Sequence, residues 1–336
     1  MLTWEKITLK LRKPFRLSYG SSEERQAYWI RLNGDEGWGE GTIPPYYQVS
    51  SVSMEEYWRK TDFRREPLPN RIEAIAEWID PDGPAPARAA VDLALHDYLS
   101  KQQGLPLYAA LGLEKPLPKP SSFTISVDNP EVMAEEALQV RHFPIIKIKL
   151  AGDNQDIQRL EAVRVARPEA RLLVDANAGW TFTQASEYLG HLERLNVELL
   201  EQPLSLSEIE GMGRLQALTR IPIVADESVR TIKDVEALAL AGVHGVNIKL
   251  MKVGGISSAL EMIHLARHHK MKIMLGCMIE TSIGVTAMAH LAGLADWLDL
   301  DASLLVANDP FEGLSFDESA TVQVADRPGI GARFRA

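Results

Sequence analysis

Two lysines lie in the middle of an apolar segment at residues 144–153, which reads PIIKIKLAGD. If this segment is a β-strand, Lys147 and Lys149 point to the same side, because side chains two residues apart share a face. A lone charge is costly there, so both ammonium groups should have partners. Burial beside a second positive charge favours a neutral lysine, which can act as a base. We therefore expect Lys149 to be an acid/base group, with Lys147 as the neighbouring charge.

Carboxylates end the next three apolar segments at nearly constant spacing. Asp175, Glu201 and Asp226 follow Lys149 at intervals of 26, 26 and 25 residues, and Lys249 comes 23 residues after Asp226. Three carboxylates held together repel one another unless they take up protons or share a cation. All-oxygen ligands suit Mg²⁺, so a magnesium site is one interpretation. A buried network of ion pairs with the lysines is the other.

The second lysine at a strand end suggests a reaction. In a closed barrel Lys149 and Lys249 would face each other across the mouth, with the carboxylates between them. This arrangement fits removal of a proton from a carbon next to a carboxylate, with Lys147 and the metal stabilising the enediolate that forms. Two bases on opposite faces would invert a stereocentre. Asn177 and Glu227, beside the proposed ligands, would hold them in place.

The elements that must position these residues alternate regularly. Short apolar strands are separated by amphipathic helical stretches; in one of these, Asp153 is a candidate N-cap. Strands alternating with single helices indicate a parallel sheet, and eight of them predict a (β/α) barrel whose site lies at the C-terminal strand ends. An open doubly wound sheet is the alternative. The predicted strands are 122–127, 145–150, 171–176, 197–202, 221–227, 245–250, 272–277 and 297–301.

The chain divides into three parts. Residues 1–115 predict an α+β capping domain with strands at 3–11 and 28–32 and a helix ending at Gly104. Residues 116–305 form the predicted catalytic barrel, and 306–336 are expected to pack back on the cap. The fold class is thus an α/β barrel, a modified TIM barrel of the (β/α)7β kind with an N-terminal cap.

The sequence resembles the enolase superfamily, in its muconate-lactonizing subgroup, and within it the dipeptide epimerases. The resemblance covers nearly the whole chain, and it implies a Mg²⁺-dependent isomerase acting on a small-molecule dipeptide. The motifs that carry it are WGE at 38–40, KIK at 147–149, DANAGW at 175–180, EQP at 201–203, ADES at 225–228, NIKLMKVGGIS at 247–257, CMIETSIG at 277–284 and DLD at 299–301.

The DLD motif narrows the choice of substrate class. The resemblance implies that Asp299 and Asp301 bind the free α-ammonium group of a dipeptide, and such an anionic pair would repel a succinyl-bearing substrate. An N-succinylamino-acid racemase, an o-succinylbenzoate synthase or a cycloisomerase on the same scaffold remains the alternative, and a non-catalytic binding barrel is a remote one. A helix N-cap or a solvated pair is the structural alternative for the two aspartates.

One position departs from the Ala-Glu type of dipeptide epimerase. The arginine expected in the loop after the first strand aligns with Gly20, so preference for an acidic side chain is in doubt. Loops at about 16–26 and 42–50 are expected to close the site. We expect Tyr19, Met278 and Glu280 to contact the substrate, with Tyr46 and Tyr47 in an aromatic lid.

Composition limits the partners. The formal net charge of −10 argues against nucleic acid and against an anionic membrane surface. Cys277 is the only cysteine, so an internal disulfide is impossible. Glu5 and Lys6 interrupt any signal-peptide core, and no apolar run is long enough to span a bilayer. We expect a soluble cytoplasmic protein, and a homo-oligomer.

Overall fold

An antiparallel sheet opens the computed structural model, which describes residues 2–18, 20–44, 47–63 and 67–335. Strands β1 (Leu2–Leu17) and β2 (Gly20–Leu32) form a long hairpin, and β3 (Gly37–Thr42) pairs with β2. The β1–β2 register runs from Leu2 opposite Leu32 to Leu17 opposite Gly20, with an irregularity between Lys10 and Phe15. The predicted strands at 3–11 and 28–32 are therefore parts of longer ones.

The segment predicted as a loop at 16–26 differs most from expectation. Phe15, Arg16 and Leu17 continue the ladder opposite Ser22, Ser21 and Gly20. Backbone pairing extends past the apolar alternation on which the prediction relied, so only the tip of the hairpin is a turn. Tyr19 and Tyr46, both expected near the substrate, lie outside the described residues.

Helices cover one face of this sheet. Helix α3 (Ala85–Gln103) is buried along most of its length and ends, as predicted, at Gly104, whose φ of 68° is left-handed. The close packing of α3 against β3 depends on glycine, because a Cβ on Gly39 would lie 1.9 Å from the Ala90 carbonyl oxygen. The helices of this region are α1 (Ser51–Phe63), α2 (Ile75–Trp78), α3 (Ala85–Gln103) and α4 (Leu107–Ala110).

Eight parallel strands then form a nearly closed barrel, which confirms the predicted fold class. They follow one another in sequence order around the sheet. The first and last are joined by the Ser122 amide, which donates to the Leu298 carbonyl at 2.9 Å. After the short β4 (Lys119–Pro120), the barrel strands are β5 (Phe123–Ile125), β6 (Ile145–Lys149), β7 (Arg171–Asp175), β8 (Val197–Glu201), β9 (Ile223–Ala225), β10 (Gly245–Ile248), β11 (Lys272–Gly276) and β12 (Trp297–Asp299).

Helices lie between the barrel strands, and the prediction for one helix start was wrong. α6 begins after Gln155, and Asp153 instead accepts from the Gln155 amide and pairs with Arg159 at 2.6 Å. Within the described residues, no helix has both the length and the apolar character needed to cross a bilayer. These helices are α5 (Pro130–Gln139), α6 (Asp156–Ala166), α7 (Phe182–Arg194), α8 (Ile209–Gln216), α9 (Ile232–Ala241), α10 (Leu250–Val253), α11 (Ile256–His268), α12 (Ser282–Ala289) and α13 (Ala302–Leu305).

The C-terminal segment contacts the N-terminal region. The Ile330 amide donates to Asp97 Oδ1 at 2.8 Å, and the Leu107 amide donates to the Gly329 carbonyl at 2.9 Å. Four short strands lie in the described part of this segment, and the third of them pairs with β4. They are β13 (Phe311–Glu312), β14 (Ser315–Phe316), β15 (Thr321–Gln323) and β16 (Arg333–Phe334).

A second joint connects α3 directly to the barrel. Asp92 of α3 accepts from the Ile256 amide at 2.6 Å and from the Ser257 hydroxyl at 2.5 Å, so it caps the start of α11. A Cβ on Gly255 would lie 2.4 Å from Asp92 Oδ1, and Gly255 has a φ of 113°. Only glycine fits both constraints, and α11 follows the strand that precedes Lys249.

Candidate active site

The site is built on one layer of the barrel interior. Six buried residues form a separate apolar cluster below it: Ile145, Leu173, Leu199, Val224, Met274 and Trp297. Because side chains two residues apart share a face of a strand, the next inward positions are Lys147, Asp175, Glu201, Asp226, Gly276 and Asp299. Alternation along β6 thus turns Ile146 and Ile148 toward the helices and places both lysines inside the barrel.

Lys147 is the centre of an ionic cluster. Its Nζ lies 2.7 Å from Glu201 Oε2, 2.8 Å from Asp299 Oδ2 and 3.3 Å from Asp175 Oδ2. Burial alone would lower the pKa of Lys147, but the three carboxylates outweigh it and raise that pKa well above its usual range. Lys149 Nζ lies 2.5 Å from Asp175 Oδ2. Lys147 is therefore cationic, and it joins the proposed metal ligands to the DLD motif.

Asp226 is held by two lysines. Lys249 Nζ lies 2.7 Å from Asp226 Oδ2, and Lys252 Nζ lies 2.5 Å from Asp226 Oδ1. Burial would raise the pKa of Asp226, but these charges hold it well below its usual range. The Asp226 amide donates to Gln202 Oε1 at 2.9 Å, which fixes the backbone at the end of β9. The carboxylate is thus ionised and immobile.

The three carboxylates meet the requirements of a cation site. Asp175, Glu201 and Asp226 each offer an oxygen within 4.8 Å of the other two, and all three are buried. Asn247 Nδ2 donates to Glu201 Oε1 at 2.8 Å. Glu201 Oε2 has no hydrogen-bond donor among the described residues, since Lys147 lies close but outside hydrogen-bond geometry. Burial and the charge of Asp175 raise the pKa of Glu201 to about 7. A buried oxygen without a donor beside two carboxylates fits a hard cation such as Mg²⁺.

The two aspartates of the DLD motif have different environments. Asp299 Oδ1 accepts from the Ser122 hydroxyl at 2.7 Å, and its other oxygen pairs with Lys147. Asp301 Oδ2 accepts from the Thr124 amide at 2.6 Å. Burial and the charge of Asp299 raise the pKa of Asp301 to about 7. Asp301 occupies the N-cap position of α13, but its side chain makes no capping bond there. The helix-cap interpretation therefore does not explain this carboxyl group.

Asn177 and Glu227 form a pair across the end of β8, since Asn177 follows β7 and Glu227 follows β9. Asn177 Nδ2 donates to Glu227 Oε1 at 3.2 Å, and Glu227 Oε2 has no hydrogen-bond partner among the described residues. Burial and the charge of Asp226 raise the pKa of Glu227 to about 8. Asn177 has a φ of 44°, an uncommon conformation outside glycine. Both residues border the same cavity as the lysines.

This cavity opens between the barrel mouth and the cap. It contains about 760 Å³ of empty space including its mouth, within the range of small-molecule sites. Its cap-side wall is mostly apolar, with Arg25 as the cation on that side. The residues that line it are Phe15, Leu17, Arg25, Thr42, Pro44, Tyr47, Thr124, Lys147, Lys149, Asn177, Asp226, Glu227, Lys249, Cys277, Met278, Ile279, Asp299, Asp301 and Leu305.

Most of the predicted site residues meet at this cavity, but two groups do not line it. Asp175 and Glu201 are fully buried and contact Lys147, which does line it. Glu280, expected to touch the substrate, is absent from the cavity wall as the structure describes it. A Cβ on Gly284 would lie 2.6 Å from Glu280 Oε2, so this carboxyl group points toward α12. Met278 and Tyr47 do line the cavity.

Glu40 links the cap to the barrel behind this wall. Its carboxylate accepts from the Thr281 amide at 2.8 Å, the Thr281 hydroxyl at 2.7 Å and the Gly284 amide at 3.2 Å. Burial raises the pKa of Glu40 to about 7, although these hydrogen bonds lower it. Glu40 thus fixes β3 to the start of α12.

Glu40 makes folding stability depend on pH. Because its pKa is raised on folding, the protonated form stabilises the native state, and this contribution is lost as pH rises from about 4.5 to about 7, by up to about 3 kcal/mol. We expect Glu40→Gln to be less stable than the original chain at pH 5, and the gap to narrow by pH 8. Urea unfolding at several pH values, with the exposed Glu36→Gln as control, measures this; a gap that stays constant would contradict it.

Sequence reasoning missed several residues that shape the site. Lys252 holds Asp226, and the only signal was a second lysine three residues after Lys249. Ser122 and Thr124 alternate along the first predicted strand, and the hydroxyl groups of both donate to Asp299 Oδ1 in β12. Arg25 lies five residues beyond the position aligned with the expected arginine, yet it borders the cavity.

The sequence matches two known domain families. Residues 3–112 match the mandelate racemase/muconate lactonizing enzyme N-terminal domain, and residues 132–336 match the enolase C-terminal domain-like family. These two ranges contain nearly every element described above.

Individual relatives are dipeptide epimerases. An L-Ala-D/L-Glu epimerase from Bacteroides thetaiotaomicron is 33% identical, over 98% of this chain and 87% of that protein. A hydrophobic dipeptide epimerase from Roseobacter litoralis is 37% identical, over 97% of this chain and 96% of that protein. The dipeptide epimerase of Enterococcus faecalis V583, solved with Mg and L-Leu-L-Tyr, has a TM-score of 0.91 and 30% identity, covering 98% of both chains. The chain therefore belongs to the mandelate racemase/muconate lactonizing enzyme family of the enolase superfamily, and it is an isomerase.

Proposed function

We propose that this chain is a Mg²⁺-dependent dipeptide epimerase that inverts the α-carbon of the C-terminal residue. The observation that carries the proposal is the placement of Lys149 and Lys249. They line the same cavity from β6 and from the end of β10, which are four strands apart in an eight-strand order and so lie on opposite sides of the barrel. A substrate between them would present opposite faces to two amines.

Lys149 and Lys249 together remove one proton from the substrate and return one proton to it. One lysine, as the neutral amine, takes the α-proton: the C–H bond breaks, an N–H bond forms and the electron pair stays on the substrate. The other lysine, as the ammonium ion, gives its proton to the opposite face of the same carbon. Lys147 stabilises the negative charge that develops on the substrate carboxylate. Turnover exchanges the protonation states of the two lysines, and exchange with solvent restores them.

Asp175, Glu201 and Asp226 would hold the metal. When bound, Mg²⁺ supplies positive charge beside the substrate carboxylate and so favours loss of the α-proton. Burial would lower the pKa of Lys249, but Asp226 and Glu201 raise it well above its usual range. A cation shared by these carboxylates would replace Lys249 as the partner of Asp226. Lys249 would then lose the interaction that keeps it protonated and could serve as a base.

Asp299 and Asp301 would bind the substrate's α-ammonium group. Lys147 already satisfies one oxygen of Asp299. Asp301, with its pKa raised to about 7 by burial and by Asp299, gains most from an added positive charge, which would keep it ionised. A free amino terminus therefore fits this end of the cavity better than an acyl group does.

A library experiment tests the proposal. The protein would be incubated in D₂O with Mg²⁺ and a set of L,L-dipeptides, together with N-succinylamino acids, and one-deuteron gain would be followed by mass spectrometry. We expect exchange and epimer formation with dipeptides, and none with the N-succinyl compounds. Exchange only with the N-succinyl compounds would support a racemase of that type instead. No exchange with any compound would overturn both.

A further inference from the structure

A second cavity adjoins the first behind Phe15 and Leu305. It holds about 570 Å³ of empty space including its mouth. Phe15, Thr124 and Leu305 line both cavities, so the two cavities meet at these side chains. The second cavity lies between the β1 arm of the cap, the start of the barrel at β5 and α5, and the short helix α13.

Its walls are mainly apolar. Leu11, Pro14, Phe123, Val140 and Leu304 surround it. Its charged groups are Arg12, Lys13 and Glu136. Lys13 pairs with Glu136 at 3.0 Å, with the Lys13 side chain 65% exposed, and Arg12 Nε donates to the Leu304 carbonyl at 3.0 Å. The interior therefore offers an apolar surface with no unpaired buried carboxylate among its described residues.

Thr124 ties this cavity to the ammonium site. Its amide donates to Asp301 Oδ2 at 2.6 Å, and its hydroxyl lies 3.3 Å from Asp299 Oδ1. A substrate whose ammonium group pairs with these aspartates has its first α-carbon next to Thr124. From that carbon, the peptide bond must run inward, toward Lys149 and Lys249. The side chain of the substrate's first residue therefore points outward, toward Phe15 and Leu305.

We infer that the side chain of the substrate's first residue enters the second cavity, which selects dipeptides with a bulky apolar first residue. The inference rests on the proposed dipeptide epimerase function and adds specificity at the residue that is not inverted. Contact with five apolar walls favours leucine or phenylalanine over alanine, because each buried methylene adds to binding.

The test compares dipeptides that share one second residue and differ in the first. Rates of α-deuteron gain would be measured with L-Ala, L-Leu and L-Phe in the first position. We expect kcat/KM to be roughly tenfold or more higher with the bulky residues. Gln139→Trp, at the exposed end of α5, would fill the second cavity from a position that does not line the first. It should remove the preference and leave the alanine substrate unchanged.

A neighbouring substitution provides the control. Leu138→Trp adds the same side chain to the same helix outside both cavities, and should change neither rate. Ser126→Phe fills the cavity from the opposite wall, should Gln139→Trp fail to fold. Exchange with every substrate at equal rates, or a preference that both filled variants keep, would overturn the inference alone. No exchange with any dipeptide would overturn the proposed function and the inference with it.

Discussion

Lys149→Ala and Lys249→Ala should each abolish stereoinversion, with kcat falling by about 10²- to 10⁴-fold or more, the usual contribution of a positioned acid/base group. Each variant keeps one base, which can still remove a proton from one face and return a deuteron to it. We therefore expect each variant to retain exchange with only one of the two diastereomers. The two variants should retain it for opposite diastereomers.

The measurement uses L,L and L,D forms of one dipeptide in D₂O, with NMR following deuterium gain and the appearance of the other epimer separately. Lys233→Ala, which removes an exposed lysine of α9, is the control and should behave like the original chain. If both alanine variants kept exchange with the same diastereomer, the two lysines would not act on opposite faces.

Glu201→Gln should remove Mg²⁺ binding with little change in shape. Outer partners of a metal ligand already contribute about 10- to 100-fold to affinity, so loss of a ligand charge should cost more than about a hundredfold. Without Mg²⁺ the variant should match or exceed the original chain in stability at pH 8. The reason is that the pKa of Glu201, raised to about 7, favours folding below that pH, and this contribution is lost as pH rises.

Titration calorimetry with Mg²⁺ alone tests the first expectation, and urea unfolding in the presence of a chelator tests the second. Glu198→Gln is the matched control, because Glu198 lies on the same strand and pairs with Arg171 away from the cavity. Unchanged Mg²⁺ affinity in Glu201→Gln would exclude this carboxylate as a ligand. A large loss of stability without Mg²⁺ would instead favour a purely structural role.

The barrel could be predicted because its pattern is local. Each strand is a short apolar run, and each inward polar residue lies two positions after an interior apolar one, as Lys147 follows Ile145. The spacing between Asp175, Glu201 and Asp226 reports one strand-and-helix unit, so their convergence follows from the fold. For that reason the eight strands, and the contact between the lysines and the carboxylates, could be predicted from the sequence.

Other features depend on contacts between distant segments. The hairpin at 16–26 continues as strands because β1 and β2 pair along their backbones, which side-chain alternation does not report. Arg25 reaches the cavity only because this hairpin leans over the barrel. Glu280 faces α12 instead of the cavity because its backbone leaves β11 in a loop whose direction no periodicity records. Lys252 was overlooked because its partner is a carboxylate 26 residues earlier.

The capped joint at Asp92 and Gly255 bears on how such an enzyme can be re-engineered. A cap transplanted from a relative would need an acidic residue and a glycine in register across two parts of the chain, or α11 would lose its cap and shift the backbone behind Lys249. The β1–β2 hairpin is also bonded to the barrel: the Ser18 hydroxyl donates to the Asn177 carbonyl at 3.1 Å, and the Val127 amide donates to the Arg16 carbonyl at 3.1 Å. A hairpin exchanged between relatives would have to keep these bonds, just as an exchanged cap would have to keep the pairing of Asp92 with Gly255.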